Sequence, residues 1–256
     1  MTKEELSTLI LGLAMAAAAG LMGSFAVMRR MTLASDALSH VALPGIGLAL
    51  ALHLHPFLGA TVTLLLGAVL VWGVETRTRI STEAVVGVVF SAALAVGSLF
   101  TPGEELLEAL FGRAGTMSLW ELGSGLLGAV AVIAFVLARK ARLVVALVSP
   151  DIARTAAIPV SRLSLEFLCF FALTVALGLR YLGVLLMGSL IIIPATTAKH
   201  LARNLSGMLT LSVVLAVLAT LAGTWAARLL HRPSGPIIIL FAGALFCLSL
   251  LRRRAS

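Results

Sequence analysis

The sequence predicts an all-α fold, a polytopic bundle of transmembrane helices with about eight or nine spans. Three observations carry that prediction. Of the 256 residues 60% are hydrophobic and 12% charged, whereas a soluble domain carries about 25% charged residues. Apolar runs long enough to cross about 30 Å of hydrocarbon follow one another with short polar breaks. The basic residues fall in those breaks and not along one polar face, so the net charge of +8 reads as a topology signal and not as a nucleic-acid surface.

The apolar runs are 6–28, 31–54, 56–74, 83–100, 119–138, 163–181, 182–198, 205–229 and 236–251. The first begins after Lys3, Glu4 and Glu5 without a basic leader, and reads as a retained helix. The seventh is short and is expected to break at Pro194. With the N-terminus outside, 14 of the 19 Lys and Arg residues lie in inner breaks, the asymmetry that marks a cytoplasmic side. Residues 1–256 are thus expected to form one transmembrane domain with no separate soluble part. The two cysteines, Cys169 and Cys247, sit in apolar runs without CxxC spacing and read as small core residues.

Two breaks are longer than turns require. The outer one, 101–118, carries Glu104, Glu105 and Glu108 near Arg113 and is a candidate surface helix. The inner one, 139–162, contains Ser149-Pro150-Asp151-Ile152-Ala153, where Pro150 and Asp151 form a helix-start signal. A short cytosolic helix there would make a docking knob; a solvated connector fits the pattern as well.

The second run holds the residues out of place in a bilayer. It reads Ser35-Asp36-Ala37-Leu38-Ser39-His40-Val41-Ala42-Leu43-Pro44-Gly45. Ionisable side chains inside a membrane are costly and face the bundle interior or a watery cavity. Asp36 and His40 are four apart, hence on one helix face about 6 Å apart along the axis. Counting about 1.5 Å per residue from Arg30 places His40 near the bilayer midplane, where transporters hold their substrates. Carboxylate oxygen with imidazole nitrogen suits Zn²⁺ or Mn²⁺, and a two-fold dimer would supply two of each. The same pair also fits a packing role, with Asp36 hydrogen-bonded to His40 or to a neighbouring helix. Pro44 and Gly45 just beyond can kink the helix or admit a second backbone. His53 and His55, flanking an outer turn, fit either an interfacial role or contact with an incoming cation. Glu166 and Arg180, near the two ends of the sixth run, read as snorkelling or bundle-facing groups. No GxxxxGK[ST], HExxH or GxSxG segment is present, so ATP held in the P-loop manner would have to come on another subunit.

Taken in order, several segments resemble one family. Gly23-Ser24-Phe25, Arg29-Arg30-Met31 and Asp36-Ala37-Leu38-Ser39-His40 come first. Glu83 to Ser91, Leu110-Phe111-Gly112, Leu182 to Leu186, Ile193-Pro194-Ala195-Thr196-Thr197-Ala198 and Pro233-Ser234-Gly235-Pro236 follow. The chain resembles the permease subunits of bacterial zinc and manganese ABC importers, the ABC-3 family, and is most similar to the zinc-uptake members. The resemblance implies a homodimeric multi-pass permease of the bacterial cytoplasmic membrane. It also implies two cytosolic ABC ATPase subunits, an extracytoplasmic metal-binding protein and no permanently bound cofactor. It assigns Asp36 and His40 to the metal path, and Ser149, Pro150, Asp151, Ile152, Ala153 and Ala157 to ATPase coupling. Ala157 stands where the family commonly has glycine, and Thr196 where it has alanine. The rival readings are a proton-coupled secondary metal carrier, which would use the same Asp/His pair as a relay, and an intramembrane metalloenzyme, for which no further buried base or nucleophile is visible.

Overall fold

The computed structural model describes residues 3–32, 34–78, 80–100 and 119–253. The outer break 101–118, with its expected surface helix and the Leu110-Phe111-Gly112 motif, lies outside the described residues. Among the described residues there are eleven helices. They are α1 (Lys3–Met28), α2 (Ala34–Val41), α3 (Leu43–Ala51), α4 (Pro56–Arg77), α5 (Thr82–Phe100), α6 (Leu119–Val148), α7 (Pro150–Thr155), α8 (Val160–Tyr181), α9 (Val184–Leu201), α10 (Leu205–Leu230) and α11 (Ser234–Arg253). Every apolar run falls on helix. Six of the helices (α1, α4, α6, α8, α10 and α11) are long and apolar enough to cross a membrane, so the protein is a multi-pass membrane protein.

The centre of the bundle is α1, packed against α6, α8, α9 and α10. Of its most apolar stretch 78% is buried inside the chain, against 17% for α11 at the rim. Lipid tails are as apolar as leucine, so helices in a bilayer associate by close packing of small residues and not by a hydrophobic drive. The stretch Ala16 to Gly23 of α1 supplies them. A Cβ on Gly23 would lie 1.9 Å from the Ile191 carbonyl oxygen of α9, and one on Gly20 would lie 2.9 Å from the Ser212 carbonyl oxygen of α10. At that second approach the Ser212 hydroxyl donates to the Gly20 carbonyl at 2.7 Å, and the Ser24 hydroxyl donates to the same oxygen at 2.9 Å. Both hydroxyls are buried and satisfied inside the bundle.

Two expectations about helix boundaries are corrected, and the kink that Pro44 and Gly45 allow is found. The fifth run does not end at residue 138: α6 continues through Arg139, Lys140 and Arg142 to Val148. These are good helix formers, and a charge ends a membrane crossing without ending a helix. At about 1.5 Å per residue α6 is roughly 45 Å long, so about 15 Å of it projects beyond the hydrocarbon. The inner segment 139–162 is accordingly a helix end, a short helix and a helix start, not one solvated connector. The seventh run is not broken, because α9 passes through Pro194; proline removes one ladder bond, and neighbouring helices carry the rest. The second run is divided, with α2 and α3 meeting at Ala42, whose φ of −69° and ψ of −26° stay helical. The division is therefore a kink at Pro44, the second residue of α3, and not a loop.

Four helices end on a left-handed residue that is not glycine: Arg30 (φ 61°), His53 (φ 55°), Ala157 (φ 55°) and His231 (φ 51°). Each closes the same pair of bonds. After α1, for example, Arg30 N–H donates to the Val27 carbonyl at 3.3 Å and Met31 N–H to the Ala26 carbonyl at 2.9 Å. This is the Schellman arrangement, which normally recruits glycine.

The tight centre gives a direct test. Gly23→Ala forces α1 and α9 apart and is expected to cost about 3 kcal/mol or more, the upper range of overpacking. Gly73→Ala, whose Cβ meets nothing within 4 Å, should be neutral or stabilising by about 0.5–1 kcal/mol. Thermal unfolding of the two variants in detergent checks the contrast.

Candidate substrate path and docking helix

The element that carries the candidate site is α2. Its start is set by the turn after α1, where Ala34 N–H donates to the Met31 carbonyl at 3.1 Å. Asp36 and His40 lie in α2 one turn apart; the described part of Asp36 is its backbone. The half-buried His40 ring meets the Phe90 ring of α5 edge-on, with centroids 5.5 Å apart and planes at 60°. The structure thus brings together the Asp36–His40 segment and the Glu83 to Ser91 segment, about fifty residues apart in the chain.

Beyond the kink, α3 is wedged against two neighbours. A Cβ on Gly45 would fall 2.2 Å from the Gly59 carbonyl oxygen of α4, and a Cβ on Gly59 would fall 2.0 Å from the Gly45 carbonyl oxygen. This is the close backbone approach that the Pro44-Gly45 pair predicts. On the other side, Gly97 of α5 leaves just enough room for Leu43 and Pro44. The half-helix carrying the site is held by α4, α5 and α9. Among the described residues no three His, Cys, Asp or Glu side chains converge to hold a metal ion.

At the outer end His53 and His55 take structural posts. His53 is the left-handed residue closing α3, and His55 caps α4, its Nδ1 accepting from Phe57 N–H at 3.3 Å. Arg180, at the end of α8, pairs with Glu121 of α6 and lies 4.9 Å from the Phe57 ring centre, with Nη1 3.4 Å from His55 Nε2. Glu166 is likewise engaged, with Arg139 of α6 at 3.2 Å. Of the two readings offered for Glu166 and Arg180, snorkelling or facing the bundle, the second holds: both are interhelical ties.

The helix-start signal in the inner segment is met. Ser149 caps α7, its Oγ accepting from Ile152 N–H at 3.3 Å, and Pro150 opens the helix, where a missing N–H costs nothing. Asp151 pairs with Arg154 at 3.0 Å, both side chains well exposed. Ala153 is buried while Val148 and Ile152 stand 77% and 61% exposed. The result is an apolar tip with an acidic flank, fixed by one buried small residue. Ala157 closes the helix, its N–H donating to the Arg154 carbonyl at 3.1 Å and that of Ile158 to the Ala153 carbonyl at 2.9 Å. The bend at this departure from the family pattern is thus formed, on a backbone that glycine prefers. Pro194 and Thr196 both lie in α9, and the Thr196 hydroxyl is buried without a hydrogen-bond partner.

Missing from the sequence reading was a polar cluster where α1, α4, α5 and α8 meet. Glu75 accepts from Thr82 at 3.0 Å and from Ser164 at 3.3 Å, and Ser164 accepts in turn from Arg29 at 3.5 Å. The sequence signal was present: Arg29, Arg77 and Arg79 belong to inner breaks, and Glu75 is the acidic residue beside them.

Releasing the strain at the end of α7 should be measurable. A left-handed non-glycine residue costs about 1–2 kcal/mol, and the greater chain entropy of glycine returns about 0.5–1 kcal/mol of that. Ala157→Gly is expected to stabilise the α7 turn by about 0.5–1 kcal/mol, read as slower amide exchange at Ala157 and Ile158.

Comparison with known proteins agrees with this architecture over nearly the whole chain. The sequence model of the ABC 3 transport family matches residues 4–253. The chain is 29% identical over 251 residues to the high-affinity zinc uptake system membrane protein ZnuB of Haemophilus influenzae, covering 96% of each chain. It is 30% identical over 239 residues to the manganese transport system membrane protein MntC of Halalkalibacterium halodurans, covering 90% of this chain and 80% of that one. In fold it superposes on a chain of PsaBC from Streptococcus pneumoniae with a TM-score of 0.83 at 24% identity, covering 97% of this chain and 91% of the other. The chain belongs to the ABC 3 transport family, and is a transporter permease subunit, not an enzyme.

Proposed function

We propose that this protein is the membrane-spanning half of an ABC importer that carries a divalent transition-metal ion inward, zinc or manganese, across a bacterial cytoplasmic membrane. The observation that carries the reading is α2: Asp36 and His40 stand one turn apart along its backbone, on a half-helix wedged among α4, α5, α8 and α9. Similarity to a zinc uptake protein and a manganese transport protein supports the same cargo class. Counting the α2–α3 pair as one kinked crossing and adding α5 and α9 gives nine spans. An odd number puts the two termini on opposite sides and α7 on the basic, inner side.

Asp36 and His40 offer one oxygen and one nitrogen donor per chain. Two copies around a two-fold axis would supply the four ligands a tetrahedral ion needs, with no permanent cofactor. Metal handed over by an extracytoplasmic binding protein passes this site, and cytosolic ATPases rock the bundle through α7. Mixed O and N donors accept zinc, manganese and ferrous iron alike.

Metal uptake by cells expressing Asp36→Ala or His40→Ala at normal levels should fall at least about tenfold, the scale on which metal sites respond to lost ligation. Wild-type uptake in both variants would remove this site from the path. Reversal of charge at Asp151 (Asp151→Lys) should abolish copurification with the ATPase and metal-stimulated ATP hydrolysis. The local Asp151–Arg154 pair is solvent-exposed and worth at most about 1 kcal/mol, so the permease itself should remain folded. Uptake that persists without any ATPase, driven by a proton gradient, would favour the secondary carrier instead.

A further inference from the structure

The polar cluster between α1 and α8 lies between the two elements assigned a function above, α2 and α7. Arg29 follows the last residue of α1 and stands seven residues before Asp36. Its guanidinium lies 4.5 Å from the centre of the Phe167 ring of α8, and its Nη1 donates to the Ser164 hydroxyl at 3.5 Å. Ser164, 6% exposed, passes the bond on by donating to Glu75 at 3.3 Å. The other oxygen of Glu75 is held by Thr82 of α5 at 3.0 Å.

The partners of Arg29 belong to the first turns of α8, which follow the docking helix α7 directly. Those turns are tied on every side. One turn earlier the Trp72 indole of α4 donates to the Ser161 carbonyl at 2.8 Å, and Glu166 pairs with Arg139 of α6 at 3.2 Å. Beside the cluster lies a cavity of about 390 Å³, lined by Arg29, Arg30, Glu75, Thr82 and Leu147 among others. Leu147 sits two residues before the Ser149 cap of α7. Arg29 and Leu147 thus line one open cavity.

We infer that Arg29 is a positioning residue: it transmits movement of the docking helix α7, through Ser164 and Phe167 at the start of α8, to the cargo-binding helix α2. The inference rests on the proposed import function. Burial lowers the guanidinium pKa from its ordinary value and the negative charge of Glu75 opposes that fall; an arginine so placed keeps its charge at physiological pH. Its cation and its flat stacking face are both used, so lysine replaces only the first.

The test is the ratio of metal moved to ATP hydrolysed, measured in vesicles containing the permease, its ATPase and the loaded binding protein. Arg29→Gln should assemble, retain basal hydrolysis and lose at least about tenfold in metal per ATP, with Arg29→Lys between it and wild type. Glu75→Gln should give a similar loss. The double variant should be no worse than either single one, because both act on one chain of contacts. An unchanged ratio in Arg29→Gln, or uptake and hydrolysis falling together at constant ratio, overturns the inference, as does additive loss in the double variant. Should Arg29→Gln fail to fold, Ser164→Ala removes one hydroxyl, leaves the charges, and should still lower the ratio about threefold; an unchanged ratio there overturns the proposal equally. Failure of the import reading is separately visible, since the wild-type protein would then show no ATP-dependent metal uptake.

Discussion

The approach of α1 to its neighbours without intervening side chains governs this structure. Gly20 and Gly23 bring its backbone against α10 and α9, and the Ser24 and Ser212 hydroxyls converge on one carbonyl at the crossing. In a bilayer this contact cannot be replaced by burying more leucine, because lipid already satisfies leucine. A helix enclosed in this way has almost no freedom to slide. Its C-terminal end, and the Arg30 turn that leads into α2, are then held at a defined depth. The position of Asp36 and His40 follows from small residues more than ten positions earlier in the chain.

Around that fixed axis the bundle divides into parts of different stiffness. The α2–α3 pair is gripped at Gly45 and Gly59, at Gly97 and at the Phe90 ring, all through shape. The inner ends of α1, α4, α6 and α8 are joined instead through charge and hydroxyl groups, with a cavity beside them. Shape contacts have steep energy wells and hold a geometry. Polar contacts have more than one geometry open to them, but a buried partner must stay paired, so a joint made of them shifts only by exchanging one partner for another.

How much of this was legible in the sequence differs from feature to feature. The membrane class, the apolar runs, the Asp36–His40 anomaly and the Ser149-Pro150 helix start are local properties of composition, spacing and capping, and they were readable. The extent of α6 was not, because hydropathy reports where the bilayer ends and Arg139, Lys140 and Arg142 continue a helix outside it as well as any residue. The ends of α1 and α10 were marked by the charges of Arg29, Arg30 and Arg232 and not by the usual glycine, whose place Arg30, His53, Ala157 and His231 take at four helix ends. The unbroken α9 depended on support from neighbours, and Pro194 alone argued against it. The Arg29–Ser164–Glu75 chain spans 135 residues from end to end and exists only once α1, α4 and α8 are packed.

The kink between α2 and α3 has one more chemical result. Pro44 carries no N–H, and the backbone oxygen it would have satisfied, four residues back along the ladder, belongs to His40. A single residue near mid-depth therefore presents an imidazole nitrogen and, on its main chain, a carbonyl dipole without that helical donor. The proline thus alters the backbone chemistry of the same residue whose ring meets Phe90.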